Sequence, residues 1–150
     1  MITFDPLVSV QPLASVKPGS LVRWGEQGEY MGFAVRSTND PNGQMSLVHY
    51  DGAARRFIWQ YADPQTVLSY DGHVVVRPNV QSFSPSFAIA VDSSLYWLDG
   101  TPYISVQVGN NFRFLDLSTG ELKSRQAWPM VGGFRAWTAG VTGGCPRGNP

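Results

Sequence analysis

At 150 residues the chain has room for one ordinary domain or two very small ones. Its eleven basic residues balance eleven acidic ones, so no whole-molecule field draws in nucleic acid or an anionic membrane. Aromatics at 13 % support a packed core, while charged residues at 15 % fall well under the roughly 25 % usual for soluble domains. So thinly charged a surface fits either partial cover by a partner or a small, neutral protein faced with Ser, Thr, Gln and Asn.

In chain order, residues 1–17 read as an N-terminal arm. Its opening Met1-Ile-Thr-Phe-Asp-Pro6 lacks a basic segment leading into an apolar core, so no signal peptide is expected. The turn Lys17-Pro-Gly19 feeds a strand at 20–24. Residues 29–36 alternate, with Met31, Phe33 and Val35 on one face. Asn39-Asp-Pro-Asn-Gly43 is a strong turn, and Met45–Tyr50 returns as a strand ending at Asp51-Gly52. Ala53–Ala62 lacks Gly and Pro and has room for a helical turn, as does Glu121–Ala127 later. Tyr70-Asp-Gly72 turns into the β-branched run His73–Arg77.

Pro78–Pro85, rich in Ser, Asn and Pro, is the expected linker between a first half (18–77) and a second (86–140). The second half predicts strands at Ser86–Val91, Leu95–Leu98, Tyr103–Val108, Asn111–Leu117 and Gly133–Thr138, with a hairpin at Asn110-Asn111. Residues 141–150 form a tail holding Cys145, the only cysteine, so an intrachain disulfide is impossible. No run approaches membrane-span length, and a cytoplasmic or virion location is the expectation.

An internal echo runs across the halves. Trp24 and Tyr30 recur at the same spacing as Trp97 and Tyr103, and Met31, Phe33 and Val35 match Ile104, Val106 and Val108. Asp51-Gly52 precedes Trp59 much as Thr119-Gly120 precedes Trp128. A fixed offset of this kind is what a duplicated unit leaves behind. Short strands divided by turns predict an all-β protein, built as small SH3-like barrels in two tandem copies or as a single antiparallel β-sandwich.

Sites for chemistry are sparse. Two His and one Cys cannot assemble a structural zinc, and no phosphate or dinucleotide fingerprint occurs, so no cofactor is expected. His49 lies near Asp51, and His73 follows Asp71, yet no nucleophile elbow accompanies either. Glu26, Glu29 and Asp99 lie beside Trp24 and Trp97 and read as solvated turn acids rather than a glycosidase pair. Arg55-Arg56-Phe57-Ile58-Trp59-Gln60-Tyr61 interleaves bases with aromatics, as single-strand binders do, but the balanced charge disfavours nucleic acid.

The residues then predict a non-catalytic structural or adaptor protein working through protein partners or self-association, for instance as a virion or phage accessory component. The alternative is a recognition module for a peptide, sugar or single strand. The binding candidates are Arg55, Arg56, Trp59, Tyr61 and Trp137. Trp24, Trp59, Trp97 and Trp128 are expected mainly in the core, with contacts supplied by Trp137 and Phe4–Leu13.

Overall fold

A computed structural model describes residues 2, 7–37, 43–60, 66–71, 73–87, 92–124 and 131–141. Tyr61, Trp128, Phe4, Cys145 and most of the 39–43 turn lie outside them. The all-β expectation holds. The first half supplies β1 (Val8–Pro12), β2 (Leu21–Trp24), β3 (Tyr30–Ser37), β4 (Met45–Asp51), β5 (Arg56–Gln60), β6 (Thr66–Tyr70) and β7 (Val74–Pro78). The second supplies β8 (Phe83–Phe87), β9 (Leu95–Leu98), β10 (Thr101–Val108), β11 (Asn111–Asp116), β12 (Glu121–Ser124), β13 (Val131–Phe134) and β14 (Trp137–Val141). Short 3₁₀ turns occupy Leu13–Ser15 and Val80–Ser82.

Several local expectations change. The two stretches given room for a helical turn contain β5 and β12, because Phe57 and Trp59, like Leu122, alternate inward with period two. The run expected as one strand at 133–138 breaks at Arg135-Ala136 into β13 and β14. Pro78–Pro85 holds the end of β7, a 3₁₀ turn capped by the Asn79 side chain, and the start of β8. The hairpin turn falls at Gly109-Asn110, one residue early, since Gly109 at φ 61° supplies the positive φ that a two-residue hairpin needs.

Six strands close a barrel in the order β3-β4-β5-β10-β11-β12. Within each half the three strands run antiparallel. The halves meet at two parallel seams, β5 on β10 and β12 on β3. Closure therefore takes three strands from each half. β2, β6 and β1 extend outward from β3, and β9, β13 and β8 extend likewise from β10. β7 and β14 pair with each other as a separate two-stranded ribbon.

The barrel interior is Phe33, Val35, Val48, Phe57, Ile104, Val106, Leu115 and Leu122, with Leu21 and Leu95 added from β2 and β9. Each such side chain contributes about 1.5–3 kcal/mol by leaving water. The ribbon lays Val74, Val76, Trp137 and Val141 against this core. A second cluster, Leu13, Val16, Val22, Trp24, Ala34, Leu47 and Val67, fills the other face of β2 and β3.

Strand for strand, the halves have the same partners, and the pairing fixes which residues correspond. Phe33 lies opposite Leu21 and Val48, as Ile104 lies opposite Leu95 and Leu115. Val48 then faces Trp59, as Leu115 faces Leu122. This register differs from the one the tryptophans suggest. With Leu21 matched to Leu95, Trp24 corresponds to Leu98, and Trp97 to Arg23. A one-residue slip reverses faces in a strand. Trp24 is accordingly buried at 4 % exposure, while Trp97, expected in the core, is 40 % exposed. The cause is loop length: β2 and β3 are joined by five residues, β9 and β10 by the two-residue turn Asp99-Gly100, both at positive φ.

Candidate functional site

The β4–β5 hairpin is longer than its counterpart β11–β12. Beyond the Val48–Trp59 pair it continues through Tyr50–Phe57 to Asp51–Arg56. Beyond Leu115–Leu122 the other hairpin has only Asp116–Glu121 before turning. The loops themselves are alike, each of four residues. Asp51 accepts the backbone N–H of Ala53 at 3.0 Å, and Asp116 that of Ser118 at 2.9 Å, the Asx-type closure expected of aspartate before a turn. Both loops end at positive φ, 73° for Gly120 and 54° for Arg55. A left-handed conformation costs a side-chain-bearing residue about 1 kcal/mol more than glycine.

In the longer hairpin Tyr50 and Phe57 stand where the shorter one has Leu117 and Gly120. They wall a cavity of about 420 Å³, with Leu21 and Phe33 from the barrel core and Trp137 and Ala139 from the ribbon. Phe57 stacks on Trp137 at 5.6 Å between centroids and 28° between planes, and Tyr50 tilts onto Phe57 at 5.3 Å. The Trp137 indole N–H donates to the Ser93 carbonyl, which ties the ribbon to the segment entering β9. Met31 and Tyr50, 41 % and 46 % exposed, form the open side.

At the corresponding place in the other half, Gly19, Val74, Val76, Leu117 and Gly120 replace Ser93, Trp137, Ala139, Tyr50 and Phe57. Only about 50 Å³ remains there. The closure is a backbone contact: a β-carbon on Gly120 would lie 2.1 Å from the Gly19 nitrogen. Beside it, Asp116 is buried at 3 % exposure and accepts bonds from Lys123, at 2.9 Å, and from the Ser118 hydroxyl. Burial alone would raise the Asp116 carboxyl; the hydrogen bonds from Ser118 and Lys123 outweigh it and hold the group below the usual carboxylate range. The same bond raises Lys123 above its ordinary value.

Polar groups at the open cavity come from its rim. Arg135, in the β13–β14 connection, lines it with a side chain 57 % exposed and lies 3.7 Å from the Asp92 carboxylate. Asp92 also accepts from the Ser94 N–H and the Tyr96 hydroxyl.

Of the sequence-stated binding candidates, Trp137 lines this cavity. Arg55 is exposed at the tip of the hairpin, two residues from Phe57, and forms no hydrogen bond or ion pair among the described residues. Arg56 turns away to donate to the Gln107 side chain at 3.1 Å. Trp59 packs half-buried against the barrel core, its N–H donating to the Ser46 hydroxyl at 2.7 Å. Tyr61 lies outside the described residues. His49 packs against the stacked rings of Trp24 and Tyr30, at 6.2 and 5.7 Å, and neither His49 nor His73 lines either cavity. Among the described residues no group of three or more His, Cys, Asp and Glu is placed to hold a metal, and no helix is long and apolar enough to cross a membrane.

Sequence reasoning passed over Tyr50, Met31, Ser93 and Arg135 as site residues. One signal was available: Tyr50 and Phe57 lie one pair outside a four-residue loop preceded by an aspartate, the place where a hairpin carries its last inward pair. Comparison of the chain with protein-family models, with curated proteins and with solved structures returned no match.

Proposed function

We propose that this chain is a non-catalytic recognition protein that works through protein–protein contacts, taking an apolar side chain of its partner into the cavity between the β4–β5 hairpin and β14. The supporting observation is the closed counterpart. The same architecture fills that position in the other half, so the fold does not require an opening, and rings and a longer hairpin create one here. Its volume lies in the range of ligand sites, about 300–1,000 Å³, and its walls are apolar with a few polar groups at the edge.

Selection from a random peptide library on the immobilised full-length chain tests this reading, with Ala139→Leu as the comparison. The added isopropyl group narrows the cavity and removes no existing contact. Enriched peptides should carry an aromatic or large aliphatic residue and bind the variant at least about tenfold more weakly by calorimetry. Peptides that bind both proteins equally would sink the proposal.

A second reading, assembly through a sheet face, rests on a different observation. Phe83, Phe134 and Trp97 form a ladder across β8, β13 and β9, with centroids 5.5 and 6.1 Å apart, and Phe83 is 55 % exposed. A contiguous aromatic surface of this kind favours association. Light scattering after size exclusion, at low and high salt, should then show an oligomer that Trp97→Ser dissolves. A monomer at every concentration would remove self-association and leave the cavity reading untouched.

A further inference from the structure

The open cavity adjoins a strand edge whose backbone groups have no partner. We infer that the bound segment of the partner is extended and adds as a further strand to the free edge of β14, from which one of its apolar side chains enters the cavity. This inference rests on the recognition reading above and adds to it the backbone conformation of the partner.

The register of the ribbon decides which groups are unpaired. In an antiparallel pair, hydrogen bonds join directly opposite residues at every second position. The Asn79 N–H donates to the Ala136 carbonyl at 2.9 Å, in register with the five pairs of β7 and β14. Thr138 therefore bonds Arg77, and Gly140 bonds Val75. Trp137, Ala139 and Val141 fall between, opposite Pro78, Val76 and Val74, and Pro78 has no N–H to offer. The N–H and C=O groups of these three β14 residues point away from β7, and no backbone group meets them among the described residues.

That outward side is also the side of the cavity. β7 lends Val74 and Val76 to the closed space, while β14 lends Trp137 and Ala139 to the open one, and Thr138 and Ala139 are exposed. Composition sets this edge apart. Among the described residues the sheets end at four strands, β1, β7, β8 and β14, and the first three carry Pro12, Pro78 and Pro85. Proline and charge are the ordinary protections of a strand edge, and Trp137-Thr138-Ala139-Gly140-Val141 has neither. Directly opposite residues of an antiparallel pair share a face. The partner residue opposite Ala139 thus exchanges both backbone bonds with it and turns its own side chain toward the cavity. Main-chain bonds give such complexes affinity, and a pocket for a side chain gives selectivity.

The probe is a capped heptapeptide of six threonines around a central phenylalanine, titrated into the full-length chain. Two isomers each carry one N-methyl group, on the phenylalanine or on the threonine after it. Calorimetry reads affinity, and NMR reads chemical shifts and amide hydrogen exchange. Binding should shift Tyr50, Phe57 and Trp137 and slow exchange at Ala139 by about tenfold or more, with little change at Thr138, which β7 already holds. Methylation of the phenylalanine nitrogen should weaken binding by about tenfold or more, since that N–H faces Ala139; methylation of the next nitrogen, which faces solvent, should cost less than about twofold. The reverse order of the two isomers also supports edge addition, with the segment running parallel. An equal response to both methylations, with cavity shifts but no slowing at Ala139, overturns strand addition and leaves the recognition reading standing. Slow exchange at Ala139 without peptide overturns it as well: protection that grows with protein concentration gives the edge to a second copy, and protection that does not gives it to the chain itself. If the phenylalanine peptide perturbs no cavity residue, the recognition reading falls with it.

Discussion

The two places where the β7–β14 ribbon crosses the barrel are matched in topology and opposite in outcome. At one, Gly19 meets Gly120 backbone to backbone, and Lys123 and Ser118 satisfy a buried Asp116. At the other, a hairpin longer by one inward pair of residues props Tyr50 and Phe57 against Trp137 and leaves space between them. The difference lies in side-chain volume and hairpin length, since the strand order is the same. A scaffold can therefore keep its barrel intact while opening one end, and the closed end shows what the open one would be without its rings.

The strongest way to break the comparison is to put a side chain where the closed end has none. Gly120→Val places a β-carbon against Gly19 and forces a branched residue to φ 73°, so a loss of about 4 kcal/mol or more is expected in urea unfolding. Phe57→Ala at the open end should cost about 3 kcal/mol, at the low end for buried rings, because one side of Phe57 already borders empty space. A larger loss at Phe57 than at Gly120 would reverse the assignment of rigid and open ends.

The tryptophans sharpen the same contrast between faces. Trp24→Ala should cost about 3–5 kcal/mol and Trp97→Ala less than about 1 kcal/mol, a gap that chemical denaturation resolves easily. Comparable losses at both positions would contradict the register derived from the β9–β10 turn.

The closed end also carries a pH signature. Asp116 titrates lower in the folded chain, so its stabilising contribution is complete above the unfolded carboxylate value near 3.9 and disappears as pH falls through the lowered folded value. Lys123 titrates higher when folded, so its contribution is complete below about 10.4 and disappears as pH rises through the raised value. Thermal melts of Asp116→Asn against the parent chain across that range should show a shallower acid limb in the variant. The smallest expected change is a gain: Arg55→Gly should raise stability by up to about 1 kcal/mol, read from the midpoint of unfolding.

Much of the fold was legible because its signals are local. The alternation that places Phe33 and Val35 inward and the turn at Asp51-Gly52 both act within a few residues. β1 and β6 escaped notice because Val8–Pro12 ends in proline and Thr66–Tyr70 buries Val67 and Ser69 with Leu68 on the other face, so neither shows an alternation of apolar and polar residues. The tryptophan spacing aligned β2 with β9 one residue away from the alignment their strand pairing gives, since a difference in one loop length hides behind similar residues. The cavity was less legible still. Trp137 was named, yet its partners Phe57 and Tyr50 are far away in sequence, and only the ribbon and the parallel seams bring them together. Arg55 was chosen for its charge; the backbone conformation that sets it apart from Gly120 becomes visible only in the loop.

The two parallel seams carry a consequence for how the molecule can be divided. β5 reaches β10 and β12 reaches β3, so a chain severed between β7 and β8 yields two fragments, each with three barrel strands and unpaired edges at both sides. Each fragment would present the other with the template it lacks. Co-expressed, the pieces would reconstitute the barrel and its cavity by complementation, and joining the original ends while opening the chain at Asn79 would convert the same seams into a circular permutant.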